Sequence, residues 1–347
     1  MKALVYHGPG KKAWEERPRP KIQDEKDAIV KVLKTTICGT DLHIMKGDVP
    51  EVTDGRVLGH EGIGIVEEAG KSVASFKRGD KVLISCITSD GSCEFCKRGM
   101  YSHCVHGGWI LGHTIDGTQA EFVRIPYADT SLYAIPEGMN EDAFVMLSDV
   151  FPTAFECGVL NGQIKPGDTV AIVGAGPIGL AAVLTAKFYS PSRIIMIDVD
   201  DGRLAVAKEI GATDTINSRA NGSAVERVME LTGERGVDVA IEAVGSPVTF
   251  EICEDIVAPG GHIANIGVFG QSVDLHMEKL WSHNITLTTR LVDTVTTPML
   301  LKSVESGALH PERLVTHHFA LSDIMNAYET FSHAKEERAL KVVLDNR

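Results

Sequence analysis

"TVAIVGAGPIGLAAVLTAKFYS", residues 169–190, sets an apolar, β-branched run ahead of a glycine-dense turn and follows the turn with a long alanine- and leucine-rich stretch. The first part reads as a buried strand and the last as a helix. Between them the chain spells Gly174-Ala175-Gly176-Pro177-Ile178-Gly179. In that context each glycine has a physical purpose: the first makes a tight turn, the second lets backbone approach a pyrophosphate, and the third lets the helix pack closely on the strand. The free N–H groups and positive dipole end of the helix then face the phosphates. The next strand, "RIIMID" (193–198), ends on Asp198. A carboxylate at that offset accepts hydrogen bonds from the adenosine ribose and repels a 2′-phosphate. The expectation is a dinucleotide site taking NAD rather than NADP, with Arg203 as a further candidate ribose contact. An ordinary tight turn would explain the glycines but not Asp198.

Outward from this stretch, strand and helix textures alternate through "GRLAVAKEIGA", "AVERVMELTG", "VDVAIEAVG", "TFEICEDIVAPGG", "HIANIGV" and "ITLTTRLV". Such alternation implies crossover connections and a parallel, doubly wound α/β sheet over about 151–292. Before residue 150 the texture differs: "KALVY", "AIVKVLKTT", "GIGIVEEAG" and "DKVLISC" read as strands of a compact β-rich unit with little helical period. No internal repeat or low-complexity tract interrupts this plan.

The 347 residues suit two domains. With 34 Lys+Arg against 47 Asp+Glu the net charge is −13, and no basic run would neutralise a phosphate backbone, so nucleic acid is not an expected partner. The N-terminus lacks the apolar core of a signal peptide, and the longest apolar stretch, around 170–186, is broken by glycine and proline, so the expectation is a soluble cytoplasmic protein without a membrane partner. In that compartment the seven cysteines point to metal ligation or burial rather than disulfides.

Donors cluster twice. Cys93, Cys96 and Cys104 have spacings that suit one zinc ion, with Asp90 where a fourth cysteine would complete the set. Cys38, in "CGTDLH", and His60, in "GHE", recur about twenty residues apart beside strands. A catalytic zinc needs three protein ligands and an open position. Taken singly, Cys38 reads more simply as a buried thiol and His60 as a core histidine; beside a dinucleotide fold the pair reads as ligands.

Together "CGTDLH" (38–43), "GHEGIGIVEEAG" (59–70), "GDKV" (79–82), the cysteine cluster at 93–104 and "GAGPIG" (174–179) resemble the zinc-dependent medium-chain alcohol dehydrogenases, in the family's order and over essentially the whole chain. The resemblance implies a GroES-like catalytic domain over 1–150 and 293–347, and a Rossmann domain over 151–292. It implies zinc ligands at Cys38 and His60, with Asp149, in "LSDVFPTAFECG", where many members carry cysteine. In carrying aspartate there the chain resembles the bacterial secondary-alcohol dehydrogenases, with Glu61 able to approach the metal as a further ligand. The cysteine lobe would hold a second, structural zinc through Asp90, Cys93, Cys96 and Cys104; the rival reading turns Asp90 to solvent and leaves the lobe three-coordinate, empty, or completed by Cys86, four residues upstream.

Further implications of the resemblance are that Thr40 accepts the alcohol proton and His43 releases it to solvent, that Thr153, Ile266, Gly267 and Val268 hold the nicotinamide, and that Trp109 lines the substrate pocket. The implied activity is reversible hydride transfer between a primary or secondary alcohol and NAD⁺, giving an aldehyde or ketone, in a homotetramer. Polyol, formaldehyde and threonine dehydrogenases are the nearest alternatives. A dinucleotide-binding protein without turnover is the alternative from another class, and Cys38, His60, Asp149, Thr40 and His43 argue against it.

Overall fold

The computed structural model describes residues 1–219 and 223–346. The chain divides into two compact units, Met1–Asp149 with Asp293–Arg347, and Val150–Val292.

The second unit is built on a six-stranded parallel sheet. Numbered along this unit, its strands lie in the order third, second, first, fourth, fifth, sixth: Asp214–Asn217, Arg193–Asp198, Thr169–Val173, Val237–Glu242, Val257–Asn265 and Thr286–Thr289. This is the doubly wound dinucleotide-binding order, whose direction of winding reverses beside the first strand. Each crossover helix starts where local chemistry dictates. Pro177 opens Pro177–Ala186 just after Gly176, and Asp200 caps Asp201–Ile210 by accepting from the Arg203 N–H. Ser223 and Glu226 form a capping box on Ala224–Thr232, and Ser246 with Pro247 opens Pro247–Ile256. Val173, Ile195, Ile197, Val228, Ala240, Phe250 and Ile263 join one buried core. Helix Pro177–Ala186 is buried over most of its length, which explains why its sequence is apolar all round.

The first unit carries a seven-stranded sheet. Its path runs Val315–Ala320, Lys341–Asp345, Ala28–Ile37, Gly62–Ala69, Lys81–Ile84 and Leu132–Ala134, and Phe122–Ile125 also pairs with Ala28–Ile37. A smaller sheet orders Lys12–Glu16, Lys2–Tyr6 and Arg56–Val57. The strand Lys341–Asp345 lies antiparallel to Ala28–Ile37, so residues after 293 complete this unit. Helix Gly39–Lys46 departs from the strand-only texture read in the sequence. Its boundaries come from its ends rather than from an apolar stripe: Asp41 caps back onto the Cys38 N–H, and Gly47 closes it in the left-handed region. Among the described residues no helix is long and apolar enough to cross a membrane.

A half-buried ion pair anchors the loop before the sixth parallel strand. His276 Nδ1 lies 2.7 Å from Glu254 Oε2, the His276 backbone N–H donates to Glu254 Oε1, and the Glu254 side chain has no exposed surface. The hydrogen bond to Glu254 raises the His276 pKa above its ordinary 6.5, against the opposing effect of burial. Because the folded pKa is the higher one, the pair's contribution is complete below 6.5 and is lost as pH rises through the raised value. Melting curves of wild type and His276→Gln should differ most near about pH 6 and converge in mildly alkaline buffer; a constant gap would show that ionisation of His276 contributes nothing.

Candidate metal and dinucleotide sites

In the first unit, Cys38 sits at the start of helix Gly39–Lys46, His60 in the turn before strand Gly62–Ala69, and Asp149 at the end of the unit's first segment. Side-chain and backbone ties hold these three pieces of chain together. Ser148 Oγ accepts from the Gly62 N–H at 3.1 Å and lies 3.2 Å from the Gly62 carbonyl. The Cys86 N–H donates to the Ser148 carbonyl at 3.1 Å. The hydroxyls of Thr35 and Thr118 both donate to the Glu61 carbonyl at 2.8 Å.

The result is one thiol, one imidazole nitrogen and one carboxylate oxygen within 4.8 Å of one another. Cys38 Sγ is 3.8 Å and His60 Nε2 3.2 Å from Asp149 Oδ2. Tetrahedral bonds of about 2.0–2.3 Å separate neighbouring donors by roughly 3.3–3.8 Å, so the set fits a zinc ion in both donor type and spacing. His60 is 4% exposed. Burial opposes charge on its ring, but the Asp149 and Cys38 side chains outweigh burial and hold its pKa well above the ordinary value. Asp41 lies fully buried beneath the group, its Oδ2 accepting from the Cys38 N–H and Gln119 Nε2; burial raises its pKa, partly offset by His60.

Thr40 Oγ1 lies 3.7 Å from Cys38 Sγ, and His43, one turn further along the same helix, pairs its Nδ1 with Asp48 at 2.8 Å at the surface. Trp109 stacks on His113 with ring centres 4.4 Å apart and presents an edge to His60 at 6.2 Å. Glu61 is not among the three converging donors: its Oε2 forms an ion pair with Lys341 and accepts from the Thr36 hydroxyl. A buried ammonium needs a counter-ion, which accounts for a carboxylate that does not join the three converging donors. Lys341 had no signal of this role in the sequence.

The second donor group is Asp90, Cys93, Cys96 and Cys104, again with one ligand atom from each within 4.8 Å. Cys93 and Cys96 sulfurs are 3.5 Å apart. Backbone N–H donation from Cys96 is the leading cause that lowers the Cys93 thiol to about 7, whereas burial first, with the neighbouring Cys93 side chain, pushes Cys96 up to about 12. Asp90 Oδ1 accepts from the Ser92 and Cys93 N–H groups, and Oδ2 pairs with His106 Nδ1 at 2.7 Å. The His106 hydrogen bond is the main reason that the Asp90 pKa falls below the carboxylate range. Cys86 is not in this lobe: its Sγ lies 3.5 Å from Asp149 Oδ1. The alternative in which Cys86 takes the place of Asp90 is therefore not the arrangement observed, in which Asp90 joins the three cysteines.

In the second unit, Gly174 adopts φ +111°, and a Cβ on Gly179 would lie 1.8 Å from the Gly174 carbonyl oxygen. Only glycine fits either position, while Pro177 and Ile178 open the following helix. Asp198 Oδ2 accepts from the Ala175 N–H at 2.6 Å, and its Oδ1 accepts from the Val199 and Asp200 N–H groups. Ile266, Gly267 and Val268 follow the fifth parallel strand, and Thr153 closes helix Val150–Thr153. Glu242, unsuspected in the sequence, organises neighbouring turns: its Oε1 accepts from the Val244 and Gly245 N–H groups and the Thr249 hydroxyl, and its carbonyl accepts from the Ile266 and Gly267 N–H groups.

Comparison with known proteins bears on both units. Residues 24–137 match the alcohol dehydrogenase GroES-like domain, and residues 177–305 the zinc-binding dehydrogenase domain. The chain belongs to the zinc-dependent medium-chain alcohol dehydrogenases. A solved apo form of zinc-dependent alcohol dehydrogenase 2 from Streptococcus pneumonia is 53% identical, with TM-score 0.96 over 100% of this chain and 98% of that one. An alcohol dehydrogenase of Cupriavidus necator is 36% identical over 97% of this chain and 96% of its own length. A sorbitol dehydrogenase of Bacillus subtilis is 30% identical over 100% and 98% respectively. Membership implies zinc and a nicotinamide dinucleotide as cofactors of this oxidoreductase.

The Glu61–Lys341 pair sets a stability test, because both side chains are at most 2% exposed. Lys341→Met leaves Glu61 buried without its cation and should cost about 3–5 kcal/mol in denaturant unfolding. Adding Glu61→Gln should recover much of the loss; a single variant as stable as wild type would mean that the pair is dispensable.

Proposed function

We propose that the chain is an NAD-dependent alcohol dehydrogenase, interconverting a primary or secondary alcohol with its aldehyde or ketone. The observation that carries this reading is the convergence of Cys38, His60 and Asp149, with Thr40 beside Cys38. Cys38 and Asp149 as anions would balance Zn²⁺ while His60 stays neutral. Zinc held there supplies a Lewis acid that acidifies an alcohol hydroxyl in one direction and polarises a carbonyl in the other. Thr40 accepts the proton that leaves the alcohol. His43, oriented by Asp48, returns it to solvent, as an imidazole can near neutral pH. Glu61 is held away as a counter-ion by Lys341, so three protein ligands leave a position for substrate. Trp109, propped on His113 beside His60, lines the pocket.

Asp90, Cys93, Cys96 and Cys104 hold a second zinc with no open position, stiffening residues 90–104. In the other unit Gly174, Gly176, Pro177, Ile178 and Gly179 take the pyrophosphate. Asp198 takes the adenosine ribose, with Arg203 nearby in sequence, and Thr153, Ile266, Gly267 and Val268 the nicotinamide. Asp200 and Asp201 add negative charge beside Asp198, which further disfavours a 2′-phosphate. The likeness to a sorbitol dehydrogenase makes a polyol the second substrate class.

We place the enzyme in the cytoplasm as a homotetramer. Edge strand Thr286–Thr289, with Trp281 73% exposed nearby in sequence, offers a surface for a second copy to cover.

Zinc per subunit, measured together with NAD⁺ reduction on ethanol, 2-propanol, benzyl alcohol and sorbitol, tests the whole reading. Two zincs with turnover are expected; NADH binding without metal or turnover would move the protein to the binding class. Asp198→Ala should shift the ratio of kcat/KM for NAD⁺ over NADP⁺ toward NADP⁺ by about 10- to 100-fold, taking one charge-assisted hydrogen bond as roughly 1.5–3 kcal/mol. A wild type that prefers NADP⁺ would overturn the cofactor assignment.

A further inference from the structure

Cys86 is 2% exposed and follows strand Lys81–Ile84 by two residues. Its backbone is fixed before its side chain is considered, because its N–H donates to the carbonyl of Ser148, the residue preceding Asp149. Ser148 is tied in turn to Gly62, next to Glu61 and two residues from His60. The chain thus brings the Cys86 sulfur to 3.5 Å from Asp149 Oδ1.

The two oxygens of Asp149 are divided between different neighbours. Oδ2 faces His60 Nε2 at 3.2 Å and Cys38 Sγ at 3.8 Å, while Oδ1 faces Cys86. The terminal torsion of an aspartate is soft, so an unrestrained carboxylate could turn both oxygens, or neither, toward a cation. Cys86 is outside the three converging donors. As a fourth ligand it would add a second thiolate and leave the centre with excess negative charge; as a thiol it adds none and has one S–H to donate.

We propose that Cys86 is a positioning residue of the metal centre. Its thiol donates to Asp149 Oδ1, so that the carboxylate presents Oδ2 alone to the cation shared with Cys38 and His60. This rests on the metal reading given under Proposed function. Outer partners of metal-ligating groups change metal affinity by about 10- to 100-fold, and a weak S–H donor belongs at the lower end.

The test uses full-length protein loaded with Co²⁺, comparing wild type, Cys86→Ala, Cys86→Ser and Cys38→Ala. Cobalt in the 90–104 lobe contributes equally to all four and cancels in difference spectra. Expected results are that Cys86→Ala shifts the d–d bands and releases cobalt to a chelator about 10-fold faster, while Cys86→Ser, which keeps a donor, restores both. Thiolate-to-cobalt charge-transfer intensity should be the same in wild type and both Cys86 variants. Equal loss of that intensity in Cys86→Ala and Cys86→Ser would make Cys86 a ligand and overturn the proposal. A Cys86→Ala protein with wild-type bands and release rate would reduce Cys86 to packing. A wild type spectrally identical to Cys38→Ala would overturn the metal centre itself, and so separates failure of the underlying reading from failure of this one.

Discussion

A thiol, an imidazole and a carboxylate whose donor atoms all lie within 4.8 Å of one another make an arrangement that folding alone does not favour. In water each would be solvated; in the first unit His60 is 4% exposed and the Asp149 side chain 13%. With Cys38 ionised the group carries two negative charges, and a buried excess of that size needs a cation or a proton. Apart from metal, the Asp149 and Cys38 side chains favour charge on His60 and raise its imidazole pKa against the effect of burial, which offsets only part of that excess. A divalent ion resolves the same imbalance more completely. The surrounding contacts, from Ser148 to Gly62 and from Thr35 and Thr118 to the Glu61 carbonyl, then serve to stop the donors from relaxing apart.

The second unit solves a different problem with different means. Its chemistry depends on backbone rather than side chains: a turn at Gly174 that L-residues rarely adopt, a Gly179 pressed on the Gly174 carbonyl, and a carboxylate at Asp198 that already accepts from the Ala175 N–H. Asp198 therefore shapes the turn as well as setting its charge. Glu242 fixes neighbouring turns through backbone N–H groups in the same way. Precision of this kind is insensitive to most side-chain replacements and very sensitive to added volume.

The doubly wound sheet was legible because its signals are local: apolar runs, a glycine turn and helix caps all lie within a few residues of what they specify. The donor groups were legible because Cys93, Cys96 and Cys104, and Cys38 with His60, stand at informative spacings. What escaped is tertiary. Lys341 acquires its meaning only when its strand lies against Ala28–Ile37, placing its ammonium on Glu61, 280 residues away in sequence. Cys86 was open as a replacement for Asp90 because it lies four residues upstream of it, yet its side chain meets Asp149 instead. Helix Gly39–Lys46 was hidden because its ends define it and its faces carry polar residues.

The strand Lys341–Asp345 also gives the first unit an order of assembly. Its partner Ala28–Ile37 leaves the ribosome early, but the Glu61 counter-ion cannot arrive until all of Val150–Val292 has been made. Closing so long a loop adds little to the final free energy, since the entropy grows only with the logarithm of length, but it delays the contact. During synthesis the parallel sheet can therefore complete itself while the β-rich unit still waits for an edge and a buried charge. The nascent chain passes through a period in which its nucleotide-binding half is formed and Glu61 is uncompensated, and metal capture before that period ends would have to proceed in an unfinished shell.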